Sequence, residues 1–264
     1  MSIHSTAIVD KGAKLGKNVE IGPYTIVQGG TEIGDDTKLW HNIFVASGTT
    51  IGKSCQIHMG AVLGHEPQDI AFKGGPSYLK IGDRNIIREF VTIHRGTQEG
   101  STTAIGDDNF IMGLCHVGHN CKIGNKVTIC NSSLLAGHVE VGDMVFMSGG
   151  CVIHQFVRIG KIAMVGGSAR IGKDVPPFMT VERDSVVASY NVVGIRRAGL
   201  DVNARKEIKK AFSFIYRSEL NIKNALIKME EELVSAEAKF LIDFIRSSEK
   251  RGICSFGKRR ADEI

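Results

Sequence analysis

A chain of 264 residues, 42% hydrophobic and 6% aromatic, is long enough for one or two buried cores. Its net charge of +5, with no aromatic interleaving among the basic residues, argues against nucleic acid as a partner. No apolar run is long enough for stable membrane insertion and no signal-like segment opens the chain, so a cytoplasmic protein with reduced cysteines is expected.

From Ile3 the chain repeats. Every sixth position up to Ile171 holds an aliphatic side chain or Met at 26 of 29 places, and the exceptions are Asp69, Gly75 and Glu99. Four residues after each such position the side chain is usually small or β-branched, as at Ala7, Ala13, Val19, Thr25, Thr31 and Thr37. The residue immediately after it is often Gly, as at Gly16, Gly22, Gly34 and Gly52. Each hexad therefore reads as a short strand and a turn, with one large and one small side chain facing inward. Three hexads close a triangular coil of 18 residues. Stacked at ~4.8 Å, roughly nine coils make a prism about 45 Å long with a continuous aliphatic core. Four cysteines, Cys55, Cys115, Cys121 and Cys151, take the small inward slot and are expected to be core filler.

Two segments interrupt the pattern. Between Leu63 and Ile81 the hexads vanish while the count of 18 is kept, as expected for a Pro- and Gly-containing loop, and loops on rigid scaffolds often hold binding residues. The second break, Gly96 to Ala104, is polar and less informative.

Positions with equal remainder on division by 18 should lie above one another. His119, Gly137 and Gln155 share remainder 11, while His116, His154 and His138 leave 8, 10 and 12, so these residues gather along one edge over three coils. At the coil spacing, His119 and Gln155 stand roughly 10 Å apart, which suits a small molecule lying along the edge. None of the four histidines occupies an inward slot. Two chemistries then compete: a zinc site of three imidazoles, and a general base with polar substrate contacts.

The period ends near Val175. After Pro176 and Pro177, Asp201 is an N-cap candidate for a helix whose apolar residues Ile208, Ala211, Phe212 and Ile215 recur at helical spacing. Further helical patterns cover 222–233 and 237–247. The expected organisation is mainly β, a parallel β-helix over 1–190 followed by a small α-helical domain over 191–264. The basic residues Arg196, Arg197, Arg205, Lys206, Lys209, Lys210 and Arg217 read either as a solvated helix face or as a docking surface for an acidic partner or phosphate group.

The spacing resembles the hexapeptide-repeat family, whose members form left-handed β-helices. More specifically, IGDRNIIREFVTIHRGT (81–97), HVGHN (116–120), LAGHV (135–139), HQF (154–156), MVGG (164–167), DVPPF (174–178) and PQD (67–69) resemble the UDP-N-acetylglucosamine acyltransferase family over nearly the whole chain. The resemblance implies transfer of an (R)-3-hydroxyacyl group from acyl carrier protein to the 3-position of the glucosamine ring of a UDP-sugar. This is the first step of lipid A synthesis, in the cytoplasm of a Gram-negative type bacterium, with no metal or cofactor. It implies His119 as general base, a task for which a neutral imidazole is suited, and the Gly137 N–H as oxyanion donor. Asp69 and Gln68 would hold the sugar, while His116, His138, His154 and Gln155 would contact sugar, diphosphate or acyl chain. Asn191 and Arg197 would engage the nucleotide. Members are homotrimers with sites between subunits, so the Asp69 loop would serve a neighbour's His119. Gly167 would line the far end of the acyl groove and admit a long chain.

Three positions depart from the family pattern. Ala71 stands where many members carry Lys, which opens the acceptor to a 3-amino sugar; Asn120 replaces a frequent Asp after the base; Val193 replaces an acid found in some relatives. Rival readings are the N-acyltransferase acting later in the same pathway, which normally carries an N-terminal uridine-binding domain for which nothing precedes Ile3, a zinc-dependent hexapeptide-repeat carbonic anhydrase, and a non-catalytic scaffold.

Overall fold

The computed structural model describes residues 1–257, so the last part of the expected 191–264 segment, 258–264, lies outside the described residues. The hexads wind into a left-handed parallel β-helix whose three faces are sheets of 12, 9 and 8 strands. Ser2–Ile3 opens the first face, Ile8–Val9 the second and Lys14–Leu15 the third, and the chain returns to the first at Glu20–Ile21. Ile3 pairs Ile21 in register. From the second coil on, the second residue of each two-residue strand of the coils points inward and is buried, and Cys55, Cys115, Cys121 and Cys151 are buried in the small slots. Each fully buried aliphatic side chain contributes about 1.5–3 kcal/mol, so the repeated slot is the main source of stability.

The residue before the small slot carries a left-handed backbone, as at Asn18 (φ 56°), Asp36 (58°) and Asn120 (60°). Asn and Asp tolerate this region best, which explains their recurrence at the corners.

The two interruptions do not occupy strand slots, which corrects the reading that the first keeps the coil count. Val62 pairs Thr92, thirty residues on, and Thr92 pairs His116, twenty-four on. The first loop therefore adds twelve residues to a regular coil and the second adds six. Together they equal one full coil, so residues beyond both loops keep the phase of residues before them. Residues between the loops do not.

The faces differ outward. The third is charged, with ladders such as Lys14 to Glu32 (2.6 Å) and Lys122 to Glu140 (3.1 Å) across adjacent coils. On the second face the outward residues Ile8, Ile26, Phe44 and Val62 form one apolar run and Leu134 with Val152 a second, separated by Thr92 and His116, and Phe110, Phe146 and Met164 add apolar surface on the first.

After the last coil, Val186–Tyr190 folds back antiparallel on Met179–Glu182. Among the described residues four helices follow: α1 (Val192–Arg197), α2 (Val202–Tyr216, capped by Asp201), α3 (Ile222–Glu232, capped by Asn221) and α4 (Ala236–Arg246, capped by Ser235). The sequence reading missed α1, whose six residues are too few to show a period. It also missed the return to β structure, where Ser255–Phe256 pairs with Val186–Val187 and Ile253 bridges Asp174. Arg158 fastens α4 to the solenoid. Its guanidinium contacts the buried Asp174 carboxylate (3.0 Å) and donates to the Ser247 and Ser248 hydroxyls and to the Phe244 carbonyl.

Candidate active site

The corner between the second and third faces carries the edge anticipated from coil arithmetic. A groove of about 240 Å³ opens there, lined by Gln68, His94, His116, His119, Gly137 and Gln155, with Leu134 and Val152 as its apolar wall. His119 is 7% exposed although it lies outside the core slots, because the first loop closes over it.

That loop is tied down by residues on the coil above. His94 Nδ1 bonds the Glu66 carbonyl, Arg95 faces the Glu66 carboxylate at 3.6 Å, and the Arg95 guanidinium lies 5.5 Å from the Phe72 ring centre. Asp69 Oδ1 accepts from the Ala71 N–H at 2.9 Å, leaving Oδ2 directed at His119 Nε2, 3.5 Å away. The Asp69 loop thus reaches the His119 of its own chain, which corrects the expectation that it serves a neighbour. Twelve extra residues rooted next to the edge bring the loop back over the corner it leaves.

The protonation of His119 can be worked out from its partners. The Thr97 peptide N–H, in the second loop, donates to the Asn120 side-chain oxygen (3.0 Å), and a peptide N–H can only donate. His119 Nδ1, 2.9 Å from the same oxygen, must therefore carry a proton, which leaves Nε2 as the nitrogen that accepts one. Asn120 orients the ring, and the polar second loop orients Asn120.

Gly137 stacks beneath His119 as coil counting predicts. A Cβ there would collide with His119 Nε2 and Cε1, so only Gly lets the peptide approach the ring. Its N–H finds no acceptor among the described residues.

The remaining candidates divide. His116 and Gln155 share the groove with His119. His138 meets the His119 ring edge-on at 5.2 Å but stacks on Phe156 at 4.6 Å, in a separate cleft on the third-face side. His154 accepts from Arg251 (2.8 Å) and lines neither cleft. Asn191, Arg197 and Gly167 are not brought to the groove within one chain. Asn191 caps α1, accepting from the Gly194 N–H and donating to the Ile162 carbonyl, while Gly167 lies at the corner between the first and second faces, one hexad out of phase with His119. Among the described residues of one chain, no three His, Cys, Asp or Glu side chains converge as a metal site requires.

Two histidines were missed. His65 shares remainder 11 with His119 and was readable. His94 leaves remainder 4, which puts it on the wrong face until the second loop's six residues are added.

Burial, reinforced by the neighbouring imidazoles, lowers His116 to about 4, and burial also lowers His94 and His138. His116 accordingly stays neutral in the fold while an unfolded imidazole protonates near 6.5. Acid therefore favours the unfolded chain: stability contributed by this residue is complete above pH 6.5 and falls as the pH drops toward 4. Urea midpoints should decrease from pH 7 to pH 5, and His116→Gln should flatten the decline; an identical slope in the variant would remove this assignment.

Comparison with known proteins supplies a context for this geometry. A family model described as Udp N-acetylglucosamine O-acyltransferase, Domain 2, matches residues 174–254, and the bacterial transferase hexapeptide (six repeats) matches 12–47 and 102–137. The chain is 43% identical over 251 residues to the acyl-(acyl-carrier-protein)–UDP-N-acetylglucosamine O-acyltransferase of Halorhodospira halophila, covering 94% of this chain and 97% of that one. It is 44% identical over 258 residues to the protein of the same name from Paraburkholderia phymatum, covering 95% and 98%. A solved UDP-N-acetylglucosamine acyltransferase from Bacteroides fragilis 9343 superposes with a TM-score of 0.92 at 40% identity, covering 95% of this chain and 99% of that one.

Proposed function

The chain belongs to the acyl-(acyl-carrier-protein)–UDP-N-acetylglucosamine O-acyltransferase family, and on that premise we propose how its residues divide the work. It is an acyltransferase that moves an acyl group from acyl carrier protein to UDP-N-acetylglucosamine. Its place is the opening step of lipid A assembly, in the cytoplasm.

A sugar hydroxyl is a poor nucleophile until a base takes its proton. His119 Nε2 does so at the 3-oxygen, and that oxygen attacks the thioester carbonyl carbon. The oxyanion forms against the Gly137 N–H, and its collapse expels the thiolate, which recovers the proton from the imidazolium. Asp69, 3.5 Å from Nε2, stabilises the imidazolium while it lasts. Gln68, Asp69, His116 and Gln155 hold the sugar and acyl carbonyl, His138 and His154 act from the outer side, and Asn191 with Arg197 engages the nucleotide. No cofactor takes part. The observation that carries this reading is His119 Nε2, 3.5 Å from the Asp69 carboxylate and packed against Gly137, whose peptide N–H finds no acceptor among the described residues, at the rim of an apolar groove.

Product mass spectra from UDP-N-acetylglucosamine and from its 3-amino analogue, each with a panel of acyl carrier protein thioesters, test it. An ester bearing a long 3-hydroxyacyl chain is expected. Exposed Ala71 leaves the loop without an ammonium two residues after Asp69, so acylation of the amine alone would reassign the acceptor to the 3-amino sugar.

The working unit is a homotrimer. The two apolar faces meet at a corner where Phe90 and Leu114 are each 59% exposed with left-handed backbone (φ 57° and 63°), an unfavourable state for bulky side chains left in water. Packing the first face of one copy on the second face of the next turns this corner to a threefold axis, covers both apolar rows and brings a neighbour's Gly167, Asn191 and Arg197 toward His119. Ile26→Glu with Phe44→Glu, far from the groove, should convert the trimer to monomer in sedimentation equilibrium and lower transfer at least about tenfold. A fully active monomer would sink the shared site.

A further inference from the structure

Asn120, 2.9 Å from His119 Nδ1, has a side chain with two chemically opposite ends. Its amide oxygen accepts and its amide nitrogen donates, and a half-turn about the last side-chain bond exchanges them without changing the shape. With the oxygen toward the ring, Nδ1 carries the proton and Nε2 is free to take one. With the nitrogen toward the ring, Nδ1 must accept, the proton sits on Nε2 and the base is disabled.

Nothing on the nitrogen side of this amide chooses between the two. Asn120 Nδ2 finds no acceptor among the described residues, and Asn120 lines the open cleft on the third-face side. The oxygen side is held, apart from the ring itself, by the Thr97 N–H at 3.0 Å. A flipped amide would set its NH2 against that N–H, donor to donor, and strand a peptide group of the buried Thr97 without an acceptor.

Thr97 is itself fixed. The Gly96 N–H donates to the Tyr78 carbonyl (3.3 Å), the Tyr78 N–H to the Ser101 carbonyl (2.9 Å), and the Gly100 N–H to the Pro76 carbonyl at the foot of the first loop (2.7 Å). The Thr97 hydroxyl has no partner, so this residue reaches Asn120 through its peptide alone. We propose that Thr97 is a positioning residue for the transfer, its N–H barring the Asn120 amide from flipping and so keeping His119 in the tautomer that acts as base. The proposal rests on the acyl-transfer reading above. An aspartate at 120 would need no such guard, since both of its oxygens accept.

Thr97→Pro deletes the N–H. It should lower kcat roughly tenfold to a hundredfold, the scale of one decisive hydrogen bond, and keep the KM for UDP-N-acetylglucosamine within about twofold. The same change made in Asn120→Asp should cost less than about threefold relative to Asn120→Asp alone. Aspartate suits the left-handed corner, as Asp36 and Asp108 do (φ 58° and 59°), and its carboxylate accepts from Nδ1 in either orientation. Equal losses in the two backgrounds overturn the proposal, and so does a loss in Thr97→Val, which retains the N–H, as large as that in Thr97→Pro. Nitrogen NMR spectra of wild type with isotope-labelled histidine read the tautomer without any substitution. Neutral His119 should carry its proton on Nδ1, and a proton on Nε2 overturns the proposal. Failure of wild type to acylate from acyl carrier protein would instead overturn the underlying acyl-transfer reading, and the spectra would still decide the lock.

Discussion

His119→Ala should lower transfer from acyl carrier protein by roughly a hundredfold to ten-thousandfold, the range for loss of a positioned general base. The side chain lies outside every core slot, so the aliphatic stack is untouched and the fold should persist. What disappears is the one nitrogen whose lone pair is fixed by its neighbours. The Thr97 N–H sets the Asn120 oxygen, that oxygen takes the Nδ1 proton, and Nε2 is left facing Asp69. Initial rates at saturating donor, alongside sedimentation and circular dichroism, measure this. A variant that transfers at the wild-type rate would remove His119 as the base.

Gly137→Ala should be nearly as damaging, with a loss of roughly a hundredfold to a thousandfold in kcat. The backbone at 137 is not left-handed, so alanine fits the chain conformation. Its methyl group, however, lands on His119 Nε2 and Cε1. The ring must swing away, which breaks the Asn120 contact, and the methyl screens the adjacent N–H from an oxyanion. Gly172→Ala supplies the contrast, since its backbone is not left-handed either and a Cβ there meets nothing within 4 Å. Equal activity of the two glycine variants would show that the crowding at 137 does not matter.

The regular part of this molecule was legible because the hexad is a local rule. One aliphatic slot, one small slot and a turn specify each strand, and His119 over Gly137 follows by counting. Counting failed where insertions changed phase. His94 lies between the two loops and came into place only once Thr92 was seen to pair with His116. The role of Asn120 was hidden for a related reason, since its partner Thr97 belongs to a loop with no period. Arg251 was invisible because nothing local in a chain fixes the distance between a residue after the last helix and a coil nearly a hundred residues earlier. Asn191 was readable as a polar residue of interest, but its role as a cap depends on α1, which is too short to announce itself.

Among the described residues, the only antiparallel pairing is Val186–Tyr190 on Met179–Glu182. Every other rung of the ladder rises in one direction and offers its successor an identical edge. Such an edge left bare invites a further molecule to continue the climb, end on end, into a filament. By reversing direction and adding Ser255–Phe256 alongside, the chain closes the ladder of its first face at this end.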